Sequence, residues 1–271
     1  RRQRQMCIRD RYYNKLNNDQ SLPLFNNATQ AQKAPGSTFK PIIAVAALEE
    51  GVIGLNDTVN CTGIYKEISP ALRCWIYPGQ HGPLDVVHGI QNSCNVFFSE
   101  MGHRLSMDEN GNYSPELGIE KIRKYASLFG LDETSGIEIA EREPQMTTEK
   151  PEASSIGQGK NSYSNVQLSR YITAVANKGT VFKLSLLDKM TDSQGNLLED
   201  FTPEVRSVID VKDSTWNAVH TGMRRVISDG SARKIFSDLE VDIAGKTGTA
   251  EEIKNGHRIN HCLLYTSPSP R

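Results

Sequence analysis

The sequence has no long apolar run. Its longest, from Pro41 to Leu48, falls far short of the ~20 residues that a membrane-spanning helix needs, so nothing in these 271 residues is read as crossing a bilayer. It has no excess of charge of either sign. Lys and Arg number 31 against 32 Asp and Glu, a formal charge of −1, which excludes a disordered acidic chain and a strongly basic nucleic-acid binder. Cysteine is scarce, five in all, and no two have the C-x-x-C spacing of a zinc knuckle or redox centre. No period of about 20 to 50 residues recurs, which argues against solenoids and propellers. With 37% hydrophobic residues, the length suits one large domain or two small ones.

The two ends share no pattern with the body. The first eleven residues, RRQRQMCIRDR, carry five arginines and no apolar periodicity, and the last ten, CLLYTSPSPR, follow a polar strand-like stretch abruptly. Both resemble translated adapter sequence, so residues 1–11 and 262–271 are read as artefactual tails flanking a body over 12–261. A basic targeting arm is the competing reading of the first tail, but it has no apolar stretch after its charges. Without the tails six arginines and one acid are lost, leaving six more acidic than basic side chains and three cysteines: Cys61, Cys74 and Cys94. Cys61 and Cys74 are close enough for a disulfide if the protein is exported, and are otherwise two reduced thiols.

The stretch Ser37 to Glu50, between Pro35-Gly36 and Gly51, reads as a helix apolar on every face and therefore buried. Gly118 to Phe129 puts Ile119, Ile122, Ala126 and Phe129 on one stripe. Helices capped by Asn165 and by Asp213 are expected, the second carrying Trp216, Val219, Met223 and Val226. Leu84 to Gln91 is expected to be helical. Strand signals cover Gly136 to Ala140 and Val181 to Met190, with a hairpin turn at Asp192 to Asn196. Val241 and Ile243 lead as a strand into Gly245-Lys246-Thr247-Gly248-Thr249, where glycines admit a second backbone.

Three short motifs carry chemistry. In Ser37-Thr38-Phe39-Lys40, helical spacing puts an amine on the same face as a hydroxyl. A serine is a poor nucleophile until its proton is taken, and a lysine takes it only where burial keeps the amine neutral. A capping serine and a solvated amine are the ordinary reading of such a pair, but the apolar run after Lys40 speaks against it. Ser93-Cys94-Asn95 sets a hydroxyl and an amide at a helix junction, where they relay a proton and bind an amide or serve as a helix cap. Lys246-Thr247-Gly248, with Thr249, offers an ammonium, a hydroxyl and an open backbone to an extended peptide ending in a carboxylate, or is a plain surface strand.

The order and separations of S-x-x-K, S-x-N and K-T-G together match the signature shared by penicillin-binding proteins and class A β-lactamases. From about Leu22 to about Asn260 the chain resembles the transpeptidase domain of a class B penicillin-binding protein of the elongation type. PLFNNATQAQKAPGSTFKP and SIGQGKNSYSNVQLSRYITAVANKGT support the likeness. The departure from S-D-N is Cys94, a position whose side chain the chemistry does not require.

The resemblance implies an α+β fold, a five-stranded antiparallel sheet covered by helices with an all-helical lobe. It implies Ser37 as the acylated nucleophile, Lys40 as its base, Ser93 as proton shuttle and Asn95 as a holder of the donor peptide. Lys246 and Thr247, beside Gly248 and Thr249, would hold the terminal carboxylate, and the N–H groups of Ser37 and Thr249 would form the oxyanion hole. The implied activity is a serine-type peptidoglycan D,D-transpeptidase acting on stem peptides that end in D-Ala-D-Ala, trapped by β-lactams and needing no cofactor. Its implied place is the extracytoplasmic face of the cell membrane beside a membrane glycosyltransferase, with no nucleic-acid partner. Strands that the family places after K-T-G are expected to be missing, leaving the Lys246 strand without sheet partners and the chain alone unstable or inactive. A membrane anchor and a non-catalytic domain are expected upstream.

A β-lactamase-like hydrolase and a penicillin-sensing domain are the alternatives. Neither Leu16-Asn17 nor Leu55-Asn56 is preceded by the glutamate of a class A deacylation motif, and class D enzymes put an apolar residue where Asn95 stands. No metal site is expected, since His257 and His261 read as a surface pair.

Overall fold

A computed structural model describes residues 2–236, 238, 241–254 and 257–268. It begins with helix α1 (Arg2–Asn17) and strand β1 (Gln32–Lys33), then a 3-10 turn (Gly36–Phe39) that runs straight into α2 (Lys40–Glu49). Four short strands follow, β2 (Val59–Cys61), β3 (Ile64–Tyr65), β4 (Leu72–Arg73) and β5 (Gly82–Leu84). Helices α3 (Val86–Gln91), α4 (Asn95–Leu105), α5 (Pro115–Leu128) and α6 (Pro151–Ser154) come next, then β6 (Tyr163–Ser164) and α7 (Asn165–Ala176). The remainder is β7 (Thr180–Lys183), β8 (Lys189–Thr191), β9 (Leu197–Asp200), β10 (Glu204–Val208), α8 (Asp213–Ser228), α9 (Arg233–Phe236), β11 (Ile243–Lys254) and β12 (His257–Pro268).

The α+β class is as expected. The core forms around α2, which packs against α4, α5 and α8 and is buried on every face, as its uninterrupted apolar composition requires. Phe39, Ile42, Ile43 and Val45 have no exposed surface, and each such side chain contributes roughly 1.5–3 kcal/mol. The stripes read from sequence on α5 and α8 are the buried faces of those helices: Ile119, Ile122 and Ala126 on one, Trp216, Val219, Met223 and Val226 on the other.

Several expectations are corrected. The helix from Ser37 begins as the 3-10 turn, because Pro41 has no N–H to donate and favours the first turn of α2. Ser164, not Asn165, caps α7, in a reciprocal capping box with Gln167. Asp213 is the first residue of α8 instead of its cap, a place where its charge suits the helix dipole. Gly136 to Ala140 forms no strand; there Glu138 takes the Leu186 N–H on its carboxylate at 2.8 Å in place of ladder pairing. Val181 to Met190 divides between β7, paired with β10, and β8, paired with β9 around the expected turn. Asp192 closes that turn by accepting from the N–H groups of Gln194 and Asn196.

Strands pair in twos among the described residues, so the sheet expected as five strands is there a two-stranded antiparallel ribbon. That ribbon is long. β11 pairs with β12 throughout, with Lys246 opposite Tyr265 and Thr249 opposite Cys262, so the strand bearing Lys246 does have a partner, formed in part by residues of the C-terminal segment. β11 also packs on α8 and on the 3-10 turn, which carries it to the Ser37–Lys40 motif.

Candidate active site

Ser37 sits on a turn clamped from three directions. Thr38 Oγ1 donates to the Pro35 carbonyl at 2.7 Å, the Tyr171 hydroxyl donates to the Thr38 carbonyl at 2.9 Å, and the Gly36 N–H donates to the Gly157 carbonyl at 3.0 Å. Gly157 has φ +74°, and a Cβ there would stand 1.9 Å from the Gly36 oxygen. Gly248 of β11 passes as closely on the other side, where a Cβ would lie 2.7 Å from Thr38 Cγ2 and 3.1 Å from the Thr38 nitrogen. Both glycines are there because two backbones meet at the Ser37 turn.

Lys40 opens α2 and is wholly buried. Its Nζ donates to the Ser93 carbonyl at 2.7 Å, to Asn95 Oδ1 at 2.8 Å and, at 3.3 Å, to Ser93 Oγ. Ser93 presents both oxygens because its backbone is left-handed, φ +49°, a conformation that costs a non-glycine residue about 1–3 kcal/mol. Asn95 is fixed from its other end, its Nδ2 donating to the Arg73 carbonyl at 3.1 Å. Burial pulls the Lys40 pKa down to about 8, partly offset by the Cys94 and Cys74 sulfurs nearby. Lys246 is also fully buried, and its Nζ donates to Ser93 Oγ and to the Thr247 carbonyl, both at 2.8 Å. Burial first, and the Lys40 charge second, hold Lys246 well below the usual lysine range.

Ser37, Ser93, Asn95, Thr247, Gly248 and Thr249 line one cavity of about 740 Å³. The two lysines stand behind its wall. Lys246 is therefore not the open clamp on a strand edge that its motif suggests; the hydroxyl-bearing Thr247 and Thr249 face the cleft, and Thr247 Oγ1 lies 3.1 Å from Ser231 Oγ. No hydrogen bond joins Ser37 Oγ to Lys40 Nζ among the described residues, because the Ser93–Asn95 turn offers the ammonium three acceptors. Sequence reasoning did not place Arg73, Trp75, Gln158 or Ser231 on the cleft. Of these only Gln158, between Gly157 and Gly159 in the SIGQGK string that supports the family likeness, carried a signal. Trp75 is 60% exposed yet held at the rim by its Nε1, which donates to the Asn92 carbonyl at 2.8 Å.

Behind Ser93 and Asn95 lies a second constellation. Cys61 and Cys74 are not disulfide-bonded; they, Cys94 and His81 gather with all four ligand atoms within 4.8 Å of one another. His81 Nδ1 lies 3.5 Å from Cys61 Sγ and 3.6 Å from Cys74 Sγ, and Cys74 and Cys94 Sγ are 3.9 Å apart. Zn–S bonds near 2.3 Å and Zn–N bonds near 2.0–2.1 Å in a tetrahedron set ligand edges of about 3.5 Å (S to N) and about 3.8 Å (S to S). Those three distances match such edges and all four ligand atoms lie within 4.8 Å of one another, so the four residues are a candidate zinc-binding set that sequence spacing did not single out. The Cys74–Cys94 contact lowers the Cys74 pKa to about 4 and raises that of Cys94. The side chains of His257 and His261 lie outside the described residues.

The family described as the penicillin binding protein transpeptidase domain matches residues 6–264. The peptidoglycan D,D-transpeptidase MrdA of Escherichia coli K12 is 30% identical over 278 residues, covering 93% of this chain and 42% of the relative. The stage V sporulation protein D of Bacillus subtilis is 28% identical over 247 residues, covering 87% and 36%. Among solved structures, a chain of a peptidoglycan synthase complex that coordinates polymerization and crosslinking superposes with a TM-score of 0.78 at 26% identity, covering 91% of this chain and 41% of that one. PBP2 of Pseudomonas aeruginosa, in complex with WCK 5153, gives 0.77 at 25% identity, covering 94% and 57%. This chain thus spans about two fifths of the length of the curated MrdA relative.

Proposed function

The chain belongs to the penicillin-binding protein transpeptidase family, and from that premise we propose that it performs serine acyl transfer on peptidoglycan stem peptides ending in D-Ala-D-Ala. Ser37 Oγ attacks the penultimate D-Ala carbonyl, the terminal D-Ala leaves, and an amine of a neighbouring stem peptide resolves the acyl-enzyme; a β-lactam traps the first intermediate.

The observation that carries this reading is the state of Lys40. As an ammonium it has three donors on three acceptors, the longest to Ser93 Oγ at 3.3 Å. Deprotonated, it keeps two N–H groups for the Ser93 carbonyl and Asn95, and its lone pair is free to take the Ser37 proton. A pKa of about 8 makes that neutral form available. Ser93 Oγ, within reach of both lysines, gives its hydroxyl proton to the leaving amine and takes in its place the proton that Lys40 received from Ser37. The substrate carboxylate meets the hydroxyls of Thr247 and Thr249 with Lys246 Nζ behind them, Gly248 gives the peptide backbone room, and Asn95 holds the donor amide. The N–H groups of Ser37 and Thr249 face the developing oxyanion.

The likeness to a chain of a peptidoglycan synthase complex supports work beside a membrane glycosyltransferase on the extracytoplasmic face of the membrane. Labelling of the full-length gene product with a fluorescent penicillin tests the assignment. Wild type labels and Ser37→Ala, folded by circular dichroism, does not; a labelled mutant overturns it. Release of D-Ala from a D-Ala-D-Ala peptide separates a synthase from a sensor that only acylates.

A further inference from the structure

Three free, buried thiols stand beside the Ser37 site and take no part in acyl transfer: Cys61, Cys74 and Cys94. Two of them bracket the groups that hold Lys40. Cys94 lies between Ser93 and Asn95, whose carbonyl and Oδ1 accept from Lys40 Nζ, and Cys74 follows Arg73, whose carbonyl accepts from Asn95 Nδ2 at 3.1 Å. The Asn95–Arg73 bond and the Cys74–Cys94 contact, 3.9 Å between sulfurs, therefore join the same two segments one residue apart.

Access differs among the three thiols. Cys74 lines the Ser37 cleft, whereas Cys61 and Cys94 have no exposed surface. Cys74 is itself only 2% exposed, which admits a small uncharged oxidant and bars a bulky disulfide. Sulfurs in a disulfide stand about 2.0 Å apart, so closing this pair draws them together by about 1.9 Å. That movement falls on the start of α4, where Cys94 Sγ accepts from the Phe97 N–H at 3.4 Å, and on Ser93, whose left-handed backbone has few neighbouring conformations to relax into.

We propose that Cys74 and Cys94 form a peroxide-sensitive thiol pair whose closure to a disulfide draws Ser93 and Asn95 away from Lys40 and slows acylation of Ser37. The effect on rate rests on the acyl-transfer reading of the site; the disulfide does not. The Cys74 sulfur takes one oxygen of hydrogen peroxide, the O–O bond breaks, and a water leaves. The Cys94 sulfur then attacks the sulfenic sulfur of Cys74, the S–O bond breaks, and a second water leaves. Two thiols thus give up two electrons and two protons, and one peroxide is reduced to two waters.

A metal ion on the cluster would engage the same sulfurs, so the test starts from full-length gene product that has been reduced and stripped with a chelator, and adds hydrogen peroxide. Trypsin leaves Cys74 and Cys94 in one peptide, Cys74 to Arg104, and Cys61 in another that ends at Lys66. The first peptide is expected to lose two hydrogens while Cys61 stays open to alkylation. Acylation by a fluorescent penicillin is expected to slow at least about tenfold, as misplacement of a catalytic group by about 1 Å does, and to recover with dithiothreitol. Cys74→Ser, compared with itself before and after peroxide, is expected to show no slowing; wild type decides the matter should that variant fail to fold. Absence of the two-hydrogen loss, a link through Cys61, an unchanged rate in the linked protein, or equal slowing of Cys74→Ser overturns the proposal. A reduced protein that takes no penicillin overturns the acyl-transfer reading and the rate effect with it, while the peptide mass still decides the disulfide.

Discussion

Lys40 and Lys246 share one acceptor: Ser93 Oγ lies 3.3 Å from the Nζ of the first and 2.8 Å from that of the second. A hydroxyl oxygen has two lone pairs, so it can accept from both amines and still have its own proton to donate. Two fully buried lysines this close also disfavour each other's charge, which is part of what holds Lys246 below its ordinary range.

Acylation is expected to rise with pH. The competent form of Lys40 is the neutral amine, so the rate climbs as pH passes through about 8 and levels off above it. Rates of fluorescent-penicillin acylation between about pH 6 and 10 check this; a rate flat or falling through that window contradicts a lysine base.

Gly248→Ala is expected to slow acylation by about tenfold or more, because the added methyl meets Thr38 Cγ2 and displaces the Ser37 turn against β11. Thr38→Ser deletes the atom at 2.7 Å and is expected to restore part of the loss. A double-mutant cycle on the acylation rate reads this coupling directly.

Gly157→Ala places a methyl on the Gly36 carbonyl at a left-handed backbone position, so the chain must shift. The expected cost is about 2–4 kcal/mol in urea unfolding, together with loss of penicillin labelling. A variant as stable as wild type would show that the Gly36–Gly157 clamp is dispensable.

Zinc is expected to bind at one equivalent and to raise the thermal midpoint, by an amount equivalent to about 2.7 kcal/mol when free metal stands a hundredfold above its Kd. Cobalt substitution would show thiolate charge-transfer bands that Cys74→Ser weakens. A chain whose midpoint ignores zinc after reduction of its thiols has no such site.

The S-x-x-K, S-x-N and K-T-G stretches were legible because each is short and local, and one cavity draws residues from all three; buried α2 was legible because its apolar run leaves no polar face. The thiol cluster was not. Cys61, Cys74, His81 and Cys94 have no local ligand spacing, and only the folding of β2, β4 and β5 against the start of α4 brings them together. Lys246 misled in the other direction: alternation along a strand does not reveal that β11 packs on the Ser37 turn and turns this side chain inward. Gly136 to Ala140 has strand composition, but Glu138 binds the Leu186 N–H, so a side chain replaces the ladder.

The bond from Gly36 to Gly157, with Gly248 pressed on the opposite side, has a consequence during biosynthesis. The serine is translated before both of its partners, so its turn lacks these contacts until Gly157 and Gly248 have left the ribosome and docked. A chain stalled before them displays the serine without the turn that fixes its direction.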